Sequence, residues 1–151
     1  MKTAGDASKL TSLLKDYIDS DPRLHIWRQY PDISEDDDNY TDRWACQEVS
    51  TEFVAFARAR GWDAALVHAE DPEEGLAFDH YWVRLTGPDY ITDVDWTARQ
   101  YHNLFEPGGR DPNVLSLPWP LAWSPHVVGP DAHLIVGRYA TTTLTCPAGD
   151  R

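Results

Sequence analysis

Cysteine is scarce in this chain. Only Cys46 and Cys146 are present, too few to make a disulfide framework in 151 residues. A Cys46–Cys146 bridge is the lesser expectation, because Cys146 stands just before Pro147 near the C-terminus and reads as incidental. Lysine is also rare: Lys2, Lys9 and Lys15 are the only ones, and the other basic residues are arginines. With many Ala, Asp, Pro, Gly and Trp residues, this is the imprint of a GC-rich genome and says little about function. Positive charge is outnumbered altogether. Thirteen Lys and Arg against 25 Asp and Glu leave a formal net charge of -12, which argues against nucleic-acid backbones and anionic membranes as partners. A basic protein partner or a cationic substrate suits it better. Long apolar runs are missing too. No segment is long enough to span a bilayer, and Met1 to Asp6 lacks the apolar core of a secretory signal. The expected setting is cytoplasmic, with delivery into another cell left open. There is no internal repeat, low-complexity tract or second-domain linker.

What is present is globular. The hydrophobic share is 42% and the charged share 25%, the composition of one domain over residues 1–151 with a sizeable core. Leu10, Leu13, Leu14, Tyr17 and Ile18 recur at helical spacing and predict an amphipathic helix over 7–19. Asp6 or Ser8 would cap it, and Asp21-Pro22 would end it. Residues 23–30 fit a strand or a short helix equally well, so 1–30 form an N-terminal helical element. Residues 31–42 are a polar loop. Its acidic run from Asp36 fails as an EF-hand, since Thr41 and Gln47 stand where Gly and Glu are needed. A second helix is expected from Trp44 to Arg60, capped by Asp42 and stopped at Gly61. Strands are expected over 64–68, 79–85 and 90–96, the last two forming a hairpin through Thr86-Gly87-Pro88-Asp89. Residues 98–113 read as loop and 114–125 as irregular. Ala132 to Leu144 reads as one long last strand.

Cys46 opens the second helix, on its buried stripe with Val49, Phe53, Phe56 and Ala57. A free cysteine there is usually just a small buried hydrophobe. A helix N-terminus nevertheless favours the thiolate, because it carries partial positive charge. The hairpin supplies possible partners. With the turn centred on Gly87-Pro88, Leu85 faces Tyr90 and His80 faces Asp95, about 5 Å apart at Cβ. Asp95 would then orient His80 and stabilise its imidazolium. Asp93, opposite Trp82 and one diagonal step from His80, is the alternate acid. A Cys on a helix, a His on a strand and an Asp on the next strand point to a Cys46–His80–Asp95 triad.

These residues resemble the transglutaminase-like branch of the papain-like fold. Family members carry a Cys at the start of a helix that ends in Gly, then a strand, a His-x-Trp strand and a strand ending in Asp-x-Thr. Here those elements read Cys46 through Gly61, His80-Tyr81-Trp82 and Asp95-Trp96-Thr97. The run from Asp95 to Tyr101 also looks like small bacterial papain-fold toxins or glutamine deamidases. The resemblance covers residues 44–101, the motif-bearing core. Ala45, Trp96 and Arg84 stand where Gly, Pro and an acidic residue are common. The resemblance implies an α+β fold, in which the Cys-bearing helix packs on an antiparallel sheet with an extra N-terminal helix.

The chemistry expected of such a site is acyl transfer through a thioester. Cys46 attacks an amide carbonyl, His80 moves the proton and Asp95 orients it. The backbone N–H of Cys46 serves as one oxyanion donor, with Trp44 a guess for the second and Trp44 and Trp82 as groove residues. No metal or organic cofactor is required. The substrate would be a protein or peptide carrying a glutamine or other amide carbonyl. Deamidation or hydrolysis ranks ahead of crosslinking by resemblance alone. The alternative is a non-catalytic acidic binding or inhibitory protein on the same fold. His25, His102, His126 and His133 read as structural, and His68 as a partner for Glu70. A metal site from His126, Asp131 and His133 is discounted for want of a tight spacing. The tryptophans of Leu117 to Trp123 read as cover over the sheet rather than a substrate groove.

Overall fold

The computed structural model describes residues 4–30, 45–70, 79–102, 116–135, 137–138 and 141–145. Helix α1 runs Ala4–Ser20, a 3-10 turn follows at Pro22–Leu24, and α2 spans His25–Gln29. Residues 23–30 are therefore helical and not a strand. The first helix begins earlier than expected, so Asp6 and Ser8 lie inside it and not at its start. Asp21 instead caps the 3-10 turn, its side chain accepting from the Arg23 N–H.

The long helix α3 covers Cys46–Ala59. Ala45 stands at its N-cap position, while Asp42, expected there, lies outside the described residues, and Glu48 Oε1 reaches back to accept the Ala45 N–H at 3.2 Å. That bond is the return half of a capping box, with no side-chain oxygen at the cap to give the other half. The C-terminal end closes at Gly61, whose φ of 86° is open to glycine and strained for other residues. The Gly61 N–H bonds Arg58 O and the Trp62 N–H bonds Ala57 O, the paired bonds of a Schellman ending.

Five antiparallel strands form the main sheet, in the order β4-β3-β2-β1-β7. They are β1 (Asp63–Ala69), β2 (His80–Thr86), β3 (Ile91–Asp95), β4 (Leu121–Trp123) and β7 (Thr142–Thr145). A 3-10 helix (Ala98–His102), where loop was expected, helix α4 (Pro125–Val128) and the short pair β5 (Ala132–His133) and β6 (Gly137–Arg138) complete the described elements. The fold is thus α+β, helices with an antiparallel sheet. The expected long strand over 132–144 is broken into β5, β6 and β7. The break follows His133, whose Nδ1 accepts the Ile135 N–H at 3.1 Å and bends the chain out of extended geometry.

Strand alternation separates two cores. Val83, Leu85, Val94 and Trp96 pack with Val49, Phe53, Val54 and Ala57 of α3 and with Leu13 and Tyr17 of α1. The residues between them on β2 and β3 belong to the opposite face, where Val67, Ala69, Trp82, Leu121 and Trp123 cluster. Trp119 also covers the first core, its indole N–H bonding Trp96 O at 2.9 Å. The aromatics of the 117–123 stretch that pack here act as core cover. No helix among the described residues is long and apolar enough to cross a membrane.

Candidate active site

The β2–β3 register differs from the expected one. Val83 pairs with Val94, Arg84 with Asp93, Leu85 with Thr92 and Thr86 with Ile91. Arg84, expected opposite Ile91, faces Asp93 instead. The turn is responsible. Pro88 sits badly at the second central position of a two-residue loop, but well at the first central position of a four-residue turn. The chain takes that course, with the Gly87 N–H bonding Tyr90 O at 2.8 Å. The shift is by an even number of residues, so the same side chains stay on each face. Continued along the strands, it leaves Asp95 level with Trp82 and one diagonal step from His80.

That diagonal step suffices for contact. His80 Nε2 lies 2.7 Å from Asp95 Oδ2, and both side chains are fully buried. The rest of the Asp95 carboxylate is also taken. Oδ1 accepts the Thr97 N–H at 2.9 Å and the Thr97 hydroxyl at 3.4 Å. This gives the Asp95-Trp96-Thr97 spacing a physical meaning: the Thr two residues on ties the carboxylate to its own backbone. Oδ2 also meets His133 Nε2 at 2.7 Å. A carboxylate that accepts so many donors is held ionised. Burial alone would raise the Asp95 pKa, but His80 and His133 together push it well below the usual carboxylate range.

Cys46 is a free, buried thiol. It is the first residue of α3, and His80 is the first residue of β2, so the two meet where both elements begin. Burial would lower the His80 pKa, yet Asp95, by charge and hydrogen bonding, and Cys46, by charge, raise it from 6.5 to about 10. His80 is therefore set between the Cys46 thiol and the Asp95 carboxylate. With Nε2 engaged by Asp95, the ring nitrogen left for chemistry at the thiol is Nδ1.

The other expected site residues fall elsewhere. Asp93 is not placed as an alternate acid. Its oxygens accept Arg84 Nε at 2.7 Å, Arg84 Nη2 at 2.8 Å and the Trp82 indole N–H at 2.8 Å. Trp82 is fully buried with that N–H committed, so it is core and not a groove or oxyanion residue. Trp44 lies outside the described residues. His68 pairs with Asp79 at 3.1 Å and stacks on Tyr81; Glu70 is not its partner. A cavity of about 590 Å³ lined in part by Ser12, Asp16, Trp62 and Tyr90 opens beside Thr86, at the other end of β2 from His80.

His133 is the residue that sequence reasoning missed. It is fully buried, against Trp123 at 4.6 Å and Trp82 at 5.1 Å between ring centroids. A histidine set among Ala132, Leu134 and Ile135 is a signal in itself, since a buried imidazole needs a partner. His80, Asp95 and His133 each offer a ligand atom within 4.8 Å of the others, close enough for a three-ligand metal set. The hydrogen bonding speaks against that use. The Ile135 N–H donates to His133 Nδ1, so Nδ1 carries a lone pair and the proton of the neutral ring sits on Nε2. A metal ligand would need the reverse tautomer.

Compared with family models, curated proteins and solved structures, the chain matches none.

Proposed function

We propose that this protein is a cysteine-dependent acyl-transfer enzyme, a glutamine deamidase or amide hydrolase on a papain-like, transglutaminase-like core. The observation that carries this reading is the placement of His80 between Cys46 and a fully bonded Asp95, with all three buried. Buried ionisable groups cost free energy, and perturbed ones cluster where chemistry is done. Cys46 Sγ attacks the amide carbonyl carbon with its proton already on His80, which holds a proton at neutral pH. The tetrahedral oxyanion takes the Cys46 backbone N–H, one of the first-turn donors that no helical carbonyl reaches. His80 then gives the proton to the departing amine as the C–N bond breaks, leaving a thioester. Water, deprotonated by His80, adds to the thioester, and Cys46 leaves as the carboxylic acid forms. Asp95 stays ionised throughout and stabilises the imidazolium.

The test is the rate of iodoacetamide alkylation of Cys46 as a function of pH. At neutral pH the wild type is expected to react at least about tenfold faster than a free thiol with its pKa near 8.5. His80→Ala should remove that advantage. Ammonia release from glutaminyl peptides, lost in Cys46→Ala, then separates deamidation from peptide cleavage. Alkylation at the free-thiol rate, unchanged by His80→Ala, would leave an acidic binding protein as the better reading.

A further inference from the structure

The geometry points to His133 as a positioning residue of the Cys46 site: a neutral imidazole that holds the Asp95 carboxylate in place against His80. This rests on the acyl-transfer reading for its purpose, though not for its geometry. Three observations carry it. First, the two histidines share one oxygen, Asp95 Oδ2, each at 2.7 Å. Second, the Ile135 N–H at 3.1 Å occupies His133 Nδ1 as a donor. An imidazolium would place two donors face to face there, so His133 is confined to the neutral form with its proton on Nε2. Third, the ring is boxed. Trp123 and Trp82 wall it by edge contacts. Arg84, paired with Asp93, reaches across to Pro130 O at 2.9 Å and pins the segment that leads into β5.

The two histidines therefore do different work on one carboxylate. His80 changes protonation during the reaction; His133 does not. Its N–H occupies the lone pair that would otherwise let Asp95 turn away from His80 or pick up a proton. Burial keeps the His133 pKa low, against the pull of Asp95. Among the described residues, the ionisable groups facing the ring include Asp95 and Asp93 of β3 and His80 and Arg84 of β2, with Cys46 of α3 beyond His80. Of these, His80 also opposes a second positive charge on His133.

The experiment compares wild type, His133→Leu and His133→Gln by the pH profile of Cys46 alkylation and by ¹³C NMR titration of the Asp95 carboxyl. Leu keeps the bulk and removes the donor, while Gln keeps a donor that does not titrate. For His133→Leu, the acid limb of the alkylation profile should move about one pH unit toward neutrality, a loss of roughly tenfold in rate on that limb. The Asp95 titration should move upward with it. His133→Gln should restore both. If wild-type Cys46 reacts as an ordinary thiol, the acyl-transfer reading falls, and the Asp95 titration alone decides the role of His133. An Asp95 titration that is the same in His133→Leu as in wild type overturns the inference. If His133→Leu does not fold, ¹⁵N NMR of the wild-type ring decides: protonation at Nε2 with Nδ1 bare is expected, and an Nδ1–H tautomer or a charged ring overturns it. Zinc chloride titrated into wild type provides a further check. A rise in Tm that His133→Gln abolishes would make the trio a metal site and overturn the positioning role; no rise is expected.

Discussion

The two faces of the sheet are built on different rules. Against α3 and α1 the packing is almost wholly apolar: Val49, Phe53, Val83, Leu85, Val94 and Trp96 make contact without needing particular polar partners. On the opposite face the sheet buries a polar chain, His80–Asp95–His133, beside a second one, Trp82–Asp93–Arg84. Volume and area govern the first face, and its faults cost in proportion to the space left empty. Donor and acceptor counts govern the second, where a single missing partner strands a group in low dielectric. A polar face of this kind is a poor way to gain stability. Its bonds converge on Asp95 beside His80, as the function proposed for Cys46 would require.

The largest effects should break the faces apart. Asp95→Ala leaves two buried imidazole donors without their acceptor. It should cost about 3–5 kcal/mol in urea unfolding and abolish the fast alkylation of Cys46. Phe53→Ala, in the apolar core, should cost a similar ~3–5 kcal/mol, yet leave the pH profile of alkylation where it was. Equal losses of stability with opposite effects on the thiol would establish that the faces are separate in function. A shifted profile in Phe53→Ala would mean that the faces are coupled through α3.

Asp93→Ala sharpens the polar side. The Arg84 guanidinium is mostly buried, with 11% of its side chain exposed, so the variant should lose about 2–3 kcal/mol. If Asp93 only anchors Arg84 and Trp82, alkylation stays fast. Slow alkylation in a folded Asp93→Ala protein would return Asp93 to the role of alternate acid.

Much of this architecture was legible in the sequence, and the failures have physical causes. The helical spacing of Leu10 to Ile18 and the Cys46 stripe announced themselves, because helix periodicity is local. Gly61 marked its stop for the same reason. The hairpin was also legible, but its register was not, since Pro88 chose the turn. The face assignment survived only because the slip was even. His80 and Asp95 could therefore be named, while their diagonal contact could not. His133 escaped because its partner lies 38 positions away and no local pattern encodes such a contact. The breaking of 132–144 escaped for a related reason: Ile135, Val136 and Thr141 to Thr143 favour a strand, and the bend comes from a side-chain acceptor.

Titration separates the faces by pH rather than by mutation. His80 is raised from its ordinary 6.5 to about 10, with Asp95 and Cys46 overcoming the effect of burial. Its contribution is therefore fully present below pH ~6.5 and is lost as pH rises through ~10. Asp95 is depressed, so its contribution is lost only on the acid side, below the usual carboxylate range. The Tm advantage of wild type over His80→Gln should shrink by about 5 °C between pH 6.5 and 10. Phe53→Ala should run parallel to wild type over that interval. A constant gap between wild type and His80→Gln would mean that His80 is uncharged in the folded protein.

The smallest effect probes a polar link within the apolar face. The Tyr17 hydroxyl donates to Val49 O at 3.1 Å, joining α1 to α3, while the ring packs on Phe53, Phe56 and Trp96 at about 5 Å between centroids. Tyr17→Phe keeps the ring contacts and removes only the hydroxyl. Val49 O lies inside α3, where its helical bond remains, so no acceptor is stranded. The loss should be ~1 kcal/mol or less by urea unfolding, with the Cys46 alkylation profile unchanged. A cost several times larger would mean that the apolar face, too, depends on a specific hydrogen bond, and the contrast between the faces would lose its basis.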